Sequence, residues 1–254
     1  MRIVSYNILD GGVGRADPLA EIIIAQHPDI VALVEADDCE IVDRIAKRLN
    51  MDSIIAMGQK HAAAVLSHWP IVQSINHAAL RGGPQSLLEV LVQEPGGREW
   101  IIGTMHLHPY AFEADEAERE REIVNVLEIF EPHRRASRPH LLVGDFNSNS
   151  PIQQIDPDKV QPKTRQAWFE NGNRIPRRAV QKILDAGYLD TLAVARPEIA
   201  AIDGSFTTQF PGQQVDYIFA FGLQPSQVKK AWIEHDRLAK YASDHFPIAA
   251  EIVC

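Results

Sequence analysis

An acid and an amide two residues apart, Asp145 and Asn147, sit in "HLLVGDFNSNSP" directly behind Leu141-Leu142-Val143 and Gly144. A carboxylate can orient or deprotonate a water and an amide can donate to an oxyanion, so this pair behind a buried strand suits attack on a polar centre. An Asx-turn that merely closes the strand would use the same residues. Four other places put a polar, proton-transferring or metal-competent group at the end of an apolar strand. These are Asn7 after "IVSY", Glu35 after "IVALV", His106 after "IIGTM", and the trio Asp216, Asp244 and His245 in "VDYIFAF" and "SDHFPI". Asp216 lies inside an otherwise apolar strand, where an ionised carboxylate is costly without a partner. His245 is the candidate partner, because a buried Asp fixes an imidazole tautomer and favours its protonated form. Each position also has a plain structural reading: Glu35 as an acid beside a helix N-terminus, Asn7 as a turn opener, His106 as a hydrogen-bonded strand end, Asp216–His245 as a buried ion pair.

Strand character recurs at Arg2–Ile8, Ile30–Val34, Ala62–Leu66, Ile71–Ile75, Ser86–Val92, Trp100–Met105, His140–Val143, Val215–Phe219 and Ile248–Ile252. Helical periodicity lies between some of them: Pro18–Gln26, Glu40–Leu49, and Glu113 to Phe130 with Ile123, Val124, Leu127 and Phe130 inward. A further helix is expected in "IPRRAVQKILDAGYLDT", with Pro176 in its first turn and Gly187 near its end. The short "SHWP" turn between Ala62–Leu66 and Ile71–Ile75 reads as a hairpin connection, which favours antiparallel or mixed sheets packed as a sandwich with helices outside. The stretch Ile152 to Gly172, broken by Pro157 and Pro162, is the hardest to assign.

The chain of 254 residues, 45% hydrophobic and 23% charged, has the material for a sizeable core and is read as one domain over residues 1–254. A formal net charge of -9 disfavours metal-free binding of a polyanion, while a divalent cation held by the excess carboxylates would supply the missing positive field. Cys39 and Cys254 are too few and too far apart for a disulfide framework or zinc site. The opening "MRIVSYNI" has no signal-peptide pattern and no later apolar run could span a membrane, so a cytoplasmic location is expected.

The order "SYNI", "ALVEA", "VLSHWPI", "MHLHP", "GDFN", "VDYIF", "SDHFPI", from Ser5 to Pro247, resembles the endonuclease/exonuclease/phosphatase superfamily. That superfamily includes apurinic endonucleases, secreted deoxyribonucleases, neutral sphingomyelinases and inositol polyphosphate 5-phosphatases. The resemblance implies a four-layer α/β sandwich, two packed mostly antiparallel or mixed β-sheets flanked by helices. It implies that Glu35 ligates a divalent cation, Mg2+ with Mn2+ as substitute, with Asn7 nearby and Asp244 positioning the metal or His245. It further implies that Asp145 orients or deprotonates water, Asn147 and His245 donate to the phosphate, Asp216 orients His245, and His106 protonates the leaving oxygen or stabilises its charge. His106 departs from the apurinic-endonuclease branch, where a tyrosine is usual. Leu9 replaces an acid common there, leaving Asp10 as the nearby acid, and His68 stands where much of the family has Arg.

The function expected on this basis is metal-dependent hydrolysis of a phosphodiester in DNA or RNA. The alternative is a small or lipid-linked phosphoester, and the least favoured reading is a non-catalytic binding relative. Candidate substrate contacts are Tyr110, Arg81 and Arg177, with Phe112, Trp168, Arg174 and Arg178 beside them. No protein partner is evident.

Overall fold

The computed structural model describes residues 1–78 and 82–253. At the centre of the first sheet, β1 (Arg2–Asn7) and β2 (Ile30–Val34) run parallel, joined by the crossover helix α1 (Ala16–Ala25). Helix α2 (Cys39–Leu49) then leads to an antiparallel pair, β3 (Asp52–Met57) and β4 (Ala62–Ser67). Asp38 caps α2 by accepting the Glu40 and Ile41 amides, and Asn50 closes it in the left-handed conformation.

The chain next enters a second sheet through β5 (Ile71–Asn76), β6 (Ser86–Gln93) and β7 (Glu99–His106). A second crossover, α3 (Glu113–Ile129) and α4 (Glu131–Arg135), brings β8 (His140–Asp145) parallel to β7. Helices α5 (Pro162–Glu170) and α6 (Arg178–Asp185) precede β9 (Leu189–Asp190), and α7 (Thr191–Ala195) and α8 (Pro197–Ala200) precede β10 (Asp216–Phe221). The first sheet is completed by β11 (Val228–Ile233) and β12 (Ile248–Ile252), with α9 (Ala239–Ala242) between them. The strand orders are β11-β12-β1-β2-β4-β3 and β5-β6-β7-β8-β10-β9.

Alternation of side chains along the strands divides the core. In β8, Leu141 and Val143 face the space between the sheets, while Leu142 faces α3 and α6. In β10, Ile218 and Ala220 face inward and Tyr217 and Phe219 outward onto the same helices. The first sheet is covered on its other face by α1 and α2 through Leu19, Ile23, Val42 and Ile45. Helix, sheet, sheet and helix thus make a four-layer α/β sandwich. Among the described residues, no helix is long and apolar enough to cross a membrane.

Several expectations are corrected. "SHWP" is no hairpin turn: it carries the chain from β4 in one sheet to β5 in the other. The hairpin partner of β4 is β3, a half-exposed edge strand without clean alternation. β11 was equally illegible, because a register shift between Val228 and Lys230 breaks its period. Val124 is 43% exposed rather than inward, and Val126 takes its place on the buried face of α3. Pro176 lies ahead of α6 rather than in its first turn, and α5 occupies part of the stretch that resisted assignment.

Candidate active site

The two parallel pairs end at the same edge of the sandwich, and this places the polar strand ends together. Crevices beyond the carboxyl ends of parallel strands are the natural place for a site, because backbone direction and crossover loops diverge there. β1 delivers Asn7, β2 delivers Glu35, β7 delivers His106 and β8 delivers Asp145. Antiparallel neighbours begin where these strands end. Asp216, the first residue of β10, pairs with Asp145, which also pairs with His106. Ahead of β4 stands His61, a residue that strand-end reasoning missed because it precedes its strand.

Backbone geometry aims several of these groups. Glu35 and Asn147 adopt left-handed conformations with φ 53° and 49°, turning the chain immediately after β2 and β8. Gly144 has φ 133°, and a Cβ there would lie 1.9 Å from the Met105 carbonyl oxygen, so only glycine lets β7 and β8 close up behind the site.

Asn7 bridges the sheets. Its Nδ2 donates to Glu35 Oε1 at 3.0 Å and to Asp145 Oδ2 at 3.2 Å, while Oδ1 accepts from the Leu9 amide at 3.0 Å. Asn7 therefore spaces two carboxylates, and only the remaining lone pair of Oδ1 is available to a metal. The Asp10 amide donates to Glu35 Oε2 at 2.8 Å; the exposed Asp10 contributes its backbone. Asp145 Oδ1 accepts from the Asn147 amide at 2.9 Å, and Asn147 Nδ2 donates to the Leu107 carbonyl at 3.1 Å, keeping one N–H free. His245 Nδ1 lies 2.8 Å from Asp216 Oδ2, its Nε2 3.7 Å from Asp145 and 4.0 Å from Asp244. The Phe206 ring packs on His245 with centroids 4.6 Å apart. Ser243 Oγ donates to the Asn7 carbonyl at 2.7 Å, and Ser205 Oγ accepts from the Asp216 amide at 3.2 Å.

The electrostatics separate the groups. Burial pushes the Asp145 carboxyl up to about 7, with Asp216 adding to the rise and His245 opposing it. Burial disfavours the His245 imidazolium, but the carboxylates of Asp216, Asp145 and Asp244 outweigh it and raise the ring to about 10. His106 is pushed down to about 4 by burial, with Glu35 opposing, so its ring is neutral near pH 7. His245 is thereby the imidazole whose charged form its carboxylate neighbours favour. Burial would raise Glu35, but His106, the Asp10 amide and Asn7 hold it below its ordinary value.

The donor set fits a divalent cation. Glu35 accepts two hydrogen bonds, fewer than its lone pairs allow, and Asp216 Oδ1 and Asp244 Oδ1 are buried without a hydrogen-bond partner. Glu35, His61 and His106 form one group whose ligand atoms lie close enough to hold an ion; Asp145, Asp216 and His245 cluster as closely, but the charged His245 ring has no lone pair to offer a metal.

A cavity of about 470 Å3 opens from these residues toward Tyr110, Phe112, Lys163 and Trp168. Its wall rests on a buried ion pair within α3. Arg119 Nε donates to Glu116 at 2.8 Å and Nη1 donates to the carbonyls of His108 and Tyr110 at 2.8 Å. Glu116 in turn accepts from Ser148 Oγ at 3.0 Å, tying the cavity wall to the turn after Asp145. Arg177 does not line the cavity; its guanidinium donates to the carbonyls of Ser150 and Gln153. Arg178 pairs with Glu113 and Glu120. Arg81 lies outside the described residues.

The profile of the Endonuclease/Exonuclease/phosphatase family matches residues 4–245. The fold is similar to that of a 3'-5' exonuclease, NExo, from Neisseria meningitidis, at 21% identity and TM-score 0.77 over 100% of both chains. It is also similar to an AP endonuclease from Archaeoglobus fulgidus, at 19% identity and TM-score 0.71 over 100% of both chains. The Xenopus laevis APE2 catalytic domain shares it at 15% identity and TM-score 0.69, over 99% of this chain and 91% of that one. No curated protein matches the sequence. With the motifs in register along the chain and the strand ends converging on one edge, the chain belongs to the Endonuclease/Exonuclease/phosphatase family.

Proposed function

We propose that the protein hydrolyses a phosphodiester at the end of a nucleic-acid strand, with Asp145 as the group that aligns and deprotonates the attacking water. The observation that carries this reading is the convergence at one mouth of the cavity of Asp145, the free N–H of Asn147 and His245, which Asp216 holds 3.7 Å from Asp145; burial raises the carboxyl and neighbouring carboxylates raise the imidazole. A base and an acid whose environments push them apart in this way suit proton transfer from water on one side and donation to phosphoryl oxygen on the other. His245, held by Asp216, and the free N–H of Asn147 would stabilise the charge that develops on those oxygens. Asp244 flanks His245 and adds negative potential. A divalent cation on Glu35, Mg2+ or Mn2+, would supply charge neutralisation at a phosphoryl or leaving oxygen.

The cavity supports a strand end as substrate. Tyr110 is 61% exposed and Phe112 44% exposed at its rim, offering aromatic faces for a terminal base next to the phosphate. A protein of similar fold, NExo from Neisseria, is a 3' phosphatase bound to product DNA hairpin.

One observation favours a second reading, a small phosphoester. Lys163 is the only lysine or arginine among the described residues lining the cavity, and the chain carries a formal net charge of -9. Hydrolysis of 3'-ended DNA that falls steeply with added salt identifies the strand end; a salt-independent rate on DNA, below that on nucleotides or other small phosphoesters, identifies the second reading. For either substrate, Asp145→Ala is expected to lower turnover of a chromogenic phosphodiester by at least about 10²-fold. A folded Asp145→Ala protein with unchanged turnover defeats the assignment.

A further inference from the structure

We propose that Glu35 shares its cation with two imidazoles, His61 and His106, and that this nitrogen-containing site selects Mn2+, Co2+ or Zn2+ over Mg2+. The proposal rests on the reading that Glu35 holds a divalent cation; it adds His61, which the strand-end motifs did not reach, and gives His106 the role of a ligand.

Three elements converge here: the end of β2 with Glu35, the start of β4 with His61, and the end of β7 with His106. One ligand atom from each lies within 4.8 Å of the other two. The two imidazole centroids are 5.4 Å apart. His61 is prepared as a ligand, because its Nδ1 lies 2.7 Å from Asp37 Oδ2, and Asp37 is itself fixed by the Ala62 amide at 2.6 Å. A carboxylate behind a ring nitrogen sets the tautomer, orients the ring and makes the opposite nitrogen, here Nε2, a better donor to metal. His106 brings a second observation. Its Nδ1 is buried without a hydrogen-bond partner, and the residue is 3% exposed. A ring nitrogen left in that state is costly unless something not made of protein meets it.

Ligand chemistry then decides the ion. Mg2+ prefers an octahedron of oxygens and gives up water reluctantly. Imidazole suits the later divalent metals, whose affinity for nitrogen and oxygen sites rises from Mn2+ toward Co2+ and beyond. Two imidazoles beside one carboxylate therefore widen the preference for those ions, most for Co2+ and Zn2+, beyond what an oxygen-only site on Glu35 would give.

Metal-stripped protein titrated with CoCl2, followed by visible absorption, reads nitrogen ligation directly, and calorimetry with MnCl2 and MgCl2 reads selectivity. Wild-type protein is expected to bind Co2+ and Mn2+ more tightly than Mg2+. His61→Asn, at a partly exposed position, is expected to weaken Co2+ and Mn2+ by at least about tenfold and to alter the Co2+ spectrum, with Mg2+ affinity unchanged. Asp37→Asn should shift both in the same direction through the orientation of His61. Affinities and spectrum unchanged in His61→Asn, or Mg2+ bound as tightly as Mn2+ by wild type, overturn the nitrogen site and leave Glu35 as a cation ligand. If Glu35→Gln changes no affinity, the cation reading of Glu35 falls and this proposal with it.

Discussion

Nδ1 of His245 lies 2.8 Å from Asp216, and that contact decides which ring nitrogen is left to face a phosphoryl oxygen. The carboxylate sits on a strand between Val215 and Tyr217, both buried, so it has no water to fall back on. Asp216→Asn keeps the shape and removes the charge that holds the imidazolium. Turnover is expected to fall by at least about 10²-fold with KM nearly constant, measured on a chromogenic phosphodiester. A rise in KM with kcat preserved would mean that Asp216 serves binding alone. At this scale the pairing was readable from "VDYIFAF" and "SDHFPI", because a lone acid in an apolar strand calls for a partner. His61 was unreadable by the same reasoning: it lies outside its strand at the beginning, and only the antiparallel placement of β4 beside β2 brings it to Glu35. Arg177 misled for the opposite reason, since a surface arginine in a loop gives no sign that two carbonyls will claim it.

Among elements, the β7–β8 pair sets the tightest constraint. Parallel strands of ordinary spacing would hold His106 and Asp145 side by side only if nothing intrudes between them, and residue 144 points its missing side chain at the Met105 carbonyl. Gly144→Ala is expected to cost at least about 2 kcal/mol, because the added carbon forces backbone apart in a conformation that L residues rarely adopt. Urea denaturation measures it, and a midpoint equal to that of wild type would show that β8 can yield. The parallel pairs were not anticipated, because the short turn between Ser67 and Pro70 pointed to hairpins, although apolar runs separated by helical periodicity are the pattern that a crossover leaves. The "SHWP" connection was misread, because turn residues say that the chain reverses or bends and never which sheet receives it.

For the whole molecule, acid stability is governed in part at the end of the sandwich remote from the site. His140 opens β8, stacked between Phe130 and Phe221 at 5.4 and 5.1 Å, with Nδ1 toward the Arg138 carbonyl and Nε2 toward the Tyr188 hydroxyl. Burial pushes the ring down to about 4 despite the Arg138 carbonyl, against an ordinary value of 6.5. The unfolded chain thus binds the proton first on acidification. The stability His140 contributes through staying neutral is present above pH 6.5 and is lost as pH falls through about 4. His140→Phe should reduce the loss of stability between about pH 7 and about pH 4.5 by roughly 2 kcal/mol, read from urea midpoints. An equally steep loss in the variant would assign the acid sensitivity elsewhere. The layered architecture was foreseen by motif order, while the charge of -9 said little about how charges would be apportioned between surface and interior. One consequence follows from the bond that Asn7, in one sheet, makes to Asp145, in the other. Each sheet carries half of the reactive set, and a slip of one residue between them, about 3.3 Å, is as long as the bonds that join the halves. Catalysis therefore acts as a vernier for the alignment of the two sheets. Perturbations that let them shear will silence the enzyme while each sheet, and the spectroscopic signature of its strands, is still intact.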